Sequence, residues 1–145
     1  MDVQISKSLK VIFLIHLIVA LVLGVALLLA PARSLTMLGY MPENLVVQSE
    51  GVTATIPGAR FVDPVITRLF GAALLALGFS SFLGWRASRR EQVSLLVQTE
   101  FVFCVLGFLG VLLGYRAFQP IPVIAWVMMV ILAAFAIAWG LSLRK

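Results

Sequence analysis

DPVITRLFGAALLALGFSSFLGWRASRREQVSLLVQTEFVFC, residues 63–104, decides the fold. Two apolar runs flank a short basic turn, ArgAlaSerArgArg at residues 86–90. Each run is long enough to cross roughly 30 Å of hydrocarbon at about 1.5 Å per residue. The stretch therefore reads as a transmembrane hairpin, with Pro64 suited to a first helical position. It also carries an arginine, Arg68, and a glutamate, Glu100, inside apolar sequence.

Outward from this hairpin the same pattern repeats. The expected spans are residues 11–30, 64–85, 92–115 and 120–143, within a single integral membrane domain covering residues 1–145. Hydrophobic residues make up 62% of the chain and charged residues 12%, with a mean hydropathy of +1.11. Soluble domains have about 25% charged residues, so the solvent expected here is lipid. The first run is too long for a cleaved signal peptide, whose apolar core is usually about 7–15 residues. The expected fold class is all-α, a four-helix transmembrane bundle with one long outer loop at residues 31–63. Within that loop, residues 31–45 read as a short interfacial helix. Two β-branched runs around Ser49-Glu50-Gly51 read as a hairpin.

The net charge of +5 comes from 11 basic residues gathered at helix ends. That distribution fits anionic lipid headgroups and lacks the aromatic-interleaved basic stripe of a nucleic-acid binder. Orientation follows from the same residues. Lys7, Lys10, Arg86, Arg89, Arg90, Arg144 and Lys145 fall on one side, and Arg33, Arg60 and Arg116 on the other. Basic residues favour the cytoplasm, so both termini are expected there and the long loop outside. Trp85 and Trp139 then fall at the inner interface and Tyr115 at the outer one.

Helices in lipid associate through small residues that allow close backbone approach. Candidate packing residues are Ala20 and Gly24 in the first span, and Ala72, Ala76 and Gly84 in an every-fourth series from Arg68 in the second. The third span offers Gly107, Gly110 and Gly114, and the fourth Ala136 and Gly140. The series in the first three spans also hold His16, Arg68 and Glu100, which points the ionisable groups into the bundle.

A charge near the bilayer centre costs about 2.5–3.5 kcal/mol on insertion scales, so each of these needs a reason. Helical rise puts Glu100 about 12 Å and His16 about 9 Å from the cytoplasmic side, depths at which they can touch. Ser80, Ser81 and Gln98 fall in the same half and complete a candidate polar cluster. Glu100 is either a proton carrier with His16 as its relay or a carboxyl that locks helices together, and the lock is the expectation. His16 is a packed imidazole or an axial ligand; with one histidine, a bis-His haem needs a homodimer. Arg68 lies about 6–7 Å from the outer end. It either snorkels outward, paired with Asp63 or Glu43, or contacts an anion or lipid headgroup.

The lone Cys104 rules out an intramolecular disulfide, a CxxC redox pair and a cysteine-based zinc site. No metalloprotease, nucleophile-elbow or phosphate-loop motif is present. No metal or cofactor is therefore expected, although the phenylalanines of the spans leave room for quinone, haem or a pigment.

Residues 68–90, RLFGAALLALGFSSFLGWRASRR, resemble the second span and basic turn of small bacterial four-helix membrane proteins, the DoxX-like and related families. The order of spans and the Arg68-x-x-Gly71 opening are similar too. The resemblance implies a four-helix fold and a bacterial inner-membrane location. Its broader group implies partnership with quinone-related or redox complexes, but no catalytic residue carries over. The function expected is that of a non-catalytic accessory or assembly subunit of a larger respiratory or photosynthetic membrane complex. The alternative is a lipid- or quinone-binding protein or small transporter centred on Glu100, His16 and Arg68. Expected partners are the bilayer and other membrane subunits or a second copy.

Overall fold

The first helix starts before its apolar run. Ser6 accepts a hydrogen bond from the Leu9 amide at 3.2 Å, which fixes the N-terminus of α1 (Lys7–Leu29). Pro31 opens a short second helix, α2 (Pro31–Met37), whose Ser34 hydroxyl donates to the Ala26 carbonyl at 2.8 Å and holds α2 against α1. Two antiparallel strands follow, β1 (Asn44–Ser49) and β2 (Val52–Pro57). Ser49 faces Val52 across a two-residue connection in which Gly51 has φ 82°, a conformation few side chains tolerate. After a 3-10 turn (Gly58–Phe61) come α3 (Pro64–Arg86), a second 3-10 turn (Arg90–Val93), α4 (Ser94–Gly114) and α5 (Val123–Leu143).

The computed structural model describes residues 4–49, 51–114 and 123–144. Glu50, Tyr115, Arg116, Phe118, the residue 116–119 connection, the expected start of the fourth span at Pro120 and Lys145 lie outside the described residues. Four helices are long and apolar enough to cross a membrane. Their outward faces carry large apolar side chains such as Ile18, Val22, Leu69, Phe79, Leu106 and Val130, as lipid contact requires.

Contacts are most extensive between α1 and α3 and between α4 and α5, so the bundle is built from two helix pairs. The pairs meet most tightly toward the end that holds both chain termini. There Phe13, Val93, Val97, Cys104 and Trp139 form one buried cluster. At the same end the Ile5 amide donates to the Ser88 carbonyl at 3.3 Å, and Arg90 donates to the Ser142 carbonyl at 2.8 Å. The turn itself is held by Gln92, whose side-chain oxygen accepts from the Ser88 and Arg89 amides.

The packing face of α3 differs from the every-fourth series. Its buried residues are Gly71, Leu74, Gly78, Ser81 and Gly84, while Ala72 and Ala76 are exposed. The reason is angular. Four residues advance about 400°, so a strict fourth-residue series from 68 to 84 rotates about 160° around the helix. Alternating steps of three and four stay on one face. Ala20 and Gly24 do face α3, opposite Gly78 and Gly71. Gly107 packs against Leu132, whereas Gly110 and Gly114 are exposed with nothing within 4 Å of a built Cβ, so this GxxxG pair packs against no helix among the described residues.

Asp63 caps α3, accepting from the Val65 and Ile66 amides at 2.8 and 3.1 Å. Asp63→Ala is expected to cost about 1 kcal/mol, as lost caps do. A thermal melt of the detergent-solubilised protein checks it, and an unchanged midpoint would refute it.

Candidate functional site

The polar cluster is a three-helix junction in the half of the bundle nearer the chain termini. α1 contributes His16, α3 contributes Ser80 and Ser81, and α4 contributes Glu100. Ser80 donates to Glu100 Oε1 at 2.5 Å and Ser81 donates to the same oxygen at 3.2 Å. Ser81 Oγ also lies 2.8 Å from His16 Nδ1. A hydroxyl has a single hydrogen to give. With that hydrogen on Glu100, His16 carries a hydrogen on Nδ1 and donates to Ser81. The order is then His16 to Ser81 to Glu100, with Ser80 as a second donor. Glu100 Oε2 lies 3.5 Å from His16 Nδ1, beyond a good hydrogen bond.

The junction is enclosed on all sides but that of Ser80, which is half-buried. Glu100 and Ser81 are 0% exposed and His16 is 5% exposed. Phe135 stands edge-on to the His16 ring at 4.9 Å between centroids, and Trp139 does so at 5.9 Å. Trp139 in turn packs on Phe13, centroids 4.9 Å apart. Trp139 is therefore core and not the interfacial residue expected of it, because α5 turns its face toward α1 at this depth. Opposite, Phe13 occupies the space that a side chain at Gly84 would need, 2.4 Å from a built Cβ. Two buried polar atoms, Glu100 Oε2 and Trp139 Nε1, have no hydrogen-bond partner among the described residues.

Of the expected cluster, His16, Ser80, Ser81 and Glu100 come together, and Gln98 does not. Gln98 sits two residues before Glu100, about 200° away around α4, and is exposed. Arg68 is exposed on α3 and makes no ion pair among the described residues; Asp63 is occupied as a helix cap. Phe13 and Trp139 enclose the junction and were not legible as such. The signal available was Gly84, whose missing side chain leaves room for a ring.

Chemically, the junction holds hydrogens in place, and only Ser80 of its four residues is half-buried. An axial ligand needs a free ring nitrogen with space before it, and here Nδ1 is engaged while Phe135 and Trp139 crowd the imidazole. Among the described residues no three His, Cys, Asp or Glu side chains cluster closely enough to hold a metal ion. Cys104, one turn from Glu100, is 1% exposed and shielded from reagents.

A second feature is an apolar cleft of about 450 Å3 between the two helix pairs, at the end away from the termini. Leu27, Leu35, Phe70, Phe103, Gly110 and Leu132 are among its walls, with Tyr40 at its rim. The class these features define is a four-span helical bundle with a buried polar junction at one depth and an apolar cleft at another. No family model, curated protein or solved structure matches the chain.

Proposed function

We propose that this protein is a non-catalytic accessory or assembly subunit of a larger complex in a bacterial cytoplasmic membrane. The observation that carries this reading is the β1–β2 hairpin. Five of six residues in each strand are exposed, including Val46, Val47 and Val52. An isolated two-stranded hairpin is at best marginally stable in water. A hairpin with exposed valines on short strands gains most from a partner that covers it. The junction fits the same role, since it ties three helices through hydrogen bonds and keeps His16, Ser81 and Glu100 buried. The basic end, with Lys7, Lys10, Arg86, Arg89, Arg90 and Arg144, is assigned to the cytoplasm and the hairpin to the opposite side. The bacterial location rests on the resemblance of residues 68–90 to the DoxX-like proteins.

Purification in mild detergent tests this reading. Other membrane subunits are expected to co-purify in fixed ratio. Replacing residues 44–57 with a short Gly-Ser linker is expected to abolish that association while the bundle still accumulates. A clean monomer or homo-oligomer from native membranes would refute it.

The cleft favours a second reading, a carrier of an apolar chain such as a lipid tail or a quinone side chain. Its volume falls in the usual range of ligand pockets, roughly 300–1,000 Å3. Gly110→Leu tests this: it should leave the fold intact, since nothing lies within 4 Å of its Cβ, and displace any co-purified quinone or lipid.

A further inference from the structure

At the terminus end, residue 4 runs back along the α3–α4 turn. Gln4 pairs with Arg89 as an isolated antiparallel bridge, and the Ile5 amide bonds the Ser88 carbonyl. This pairing walls off a recess of about 380 Å3 lined by Gln4, Ile5, Lys10, Ser88 and Arg89. Two of the five carry positive charge and two more carry neutral hydrogen-bonding side chains. No acidic side chain is among these described lining residues. Lys7, Arg86, Arg90 and one acid, Glu91, stand on the segments beside it, Arg90 being bonded to the Ser142 carbonyl. A second groove of about 460 Å3 shares Gln4 and Ile5 and passes between α1 and α5 over Leu9, Ile12, Ala138 and Leu141. Basic lining at the end of four spans, beside a groove with Leu9, Ile12, Ala138 and Leu141 in its walls and serines and Arg90 at its other positions, matches one kind of molecule at both ends.

We propose that this paired recess binds a phospholipid with an anionic headgroup, its phosphate held by Lys10 and Arg89 and one acyl chain laid along the α1–α5 groove. The shared chemistry with free phosphate is the anion. The groove commits the site to lipid, because only a lipid fills both concavities. Arginine and lysine beside a phosphate form charge-assisted hydrogen bonds, and Ser88 and Gln4 add neutral ones. Each basic side chain near a membrane surface favours anionic lipid by roughly fivefold. The site is independent of the accessory-subunit reading and stands or falls apart from it.

The test uses the full-length protein, delipidated in mild detergent and titrated with phosphatidylglycerol or phosphatidylcholine under native mass spectrometry. Phosphatidylglycerol is expected to bind at least about tenfold more tightly. The double variant Lys10→Gln/Arg89→Gln should weaken it about 25-fold, two such contributions multiplied, and Lys10→Arg/Arg89→Lys should restore it. Arg33→Gln/Arg60→Gln, at the opposite end, should bind like the unaltered protein. Equal binding of the two lipids, an unaffected Lys10/Arg89 double variant, or an equal loss at the opposite end would each overturn the site. Displacement of the lipid by millimolar inorganic phosphate would reassign it to the free anion and overturn the lipid assignment.

Discussion

Replacing Gly71 with leucine is expected to prevent the folded bundle from accumulating. A Cβ at that position would lie 2.8 Å from the Leu28 amide nitrogen, 2.9 Å from the Gly24 carbonyl oxygen and 3.2 Å from the Leu27 carbonyl carbon. All three are backbone atoms of α1, so no rotamer relieves the contact and the helices must separate along their most extensive interface. Overpacking a core costs about 1–3 kcal/mol where side chains can adjust. Where only backbone can move, the cost falls at or above the top of that range. Helices in lipid have little hydrophobic gain to offset it, because separated apolar faces are still solvated by acyl chains. Gly71→Leu should therefore vanish from a size-exclusion profile of solubilised membranes. Ala72→Leu and Ala76→Leu, on the exposed side of the same helix, should leave it unchanged. A reversed ranking would mean that α3 packs through the alanine face.

That contrast marks how far the sequence alone could be read. The existence and number of spans follow from apolar length, and the basic turn follows from composition, because a bilayer imposes both directly. The glycine and serine faces of α3 were harder. Residues 72 and 76 are small like residues 71 and 78, and a rule for small residues does not separate them. The partner helix does, since Gly24 and Ala20 meet glycines. The Gly110–Gly114 pair failed for a related reason: it lies past the depth where α4 and the α1–α3 pair approach, and there an apolar cleft opens instead. The junction was legible in large part because ionisable residues in apolar runs are few and must find each other. His16, Ser80, Ser81 and Glu100 share a depth. Gln98 shares it too but points elsewhere, which depth alone does not reveal. Trp139 was read from its nearness to the chain end, where an aromatic belt is expected, while its facing helix decided its burial.

Glu100→Leu is the second change expected to have a large effect. It removes the acceptor for Ser80 and Ser81 and the carboxyl oxygen 3.5 Å from His16, in a site where His16 and Ser81 are buried and Ser80 is half-buried. Hydrogen bonds between membrane helices average about 0.6 kcal/mol each, with a maximum near 1.7. A donor left buried and unpaired costs roughly 1–3 kcal/mol. Two lost bonds and a stranded Ser81–His16 pair together predict a loss of about 2–4 kcal/mol. Glu100→Gln keeps the shape and one carbonyl oxygen for both serines, so it should cost about 1 kcal/mol or less. The double variant His16→Phe/Glu100→Leu should lose less than the sum of the single changes, because the second substitution removes a group that the first has already stranded. Thermal melts of the unaltered protein, Glu100→Leu, His16→Phe, their double variant and Glu100→Gln in one detergent give the comparison. Additive losses would show that His16 and Glu100 act separately. The same set distinguishes a lock from a proton carrier. If the carboxyl only joins helices, Glu100→Gln keeps both its fold and its co-purifying subunits. If the carboxyl carries protons, Glu100→Gln stays folded and assembled while the function of the complex fails, since an amide accepts the same hydrogen bonds but cannot take up and release a proton. The geometry favours the lock: Phe135 and Trp139 close the imidazole side, and both serines fix their hydroxyls on one oxygen of Glu100, with Ser80 the half-buried member of the four.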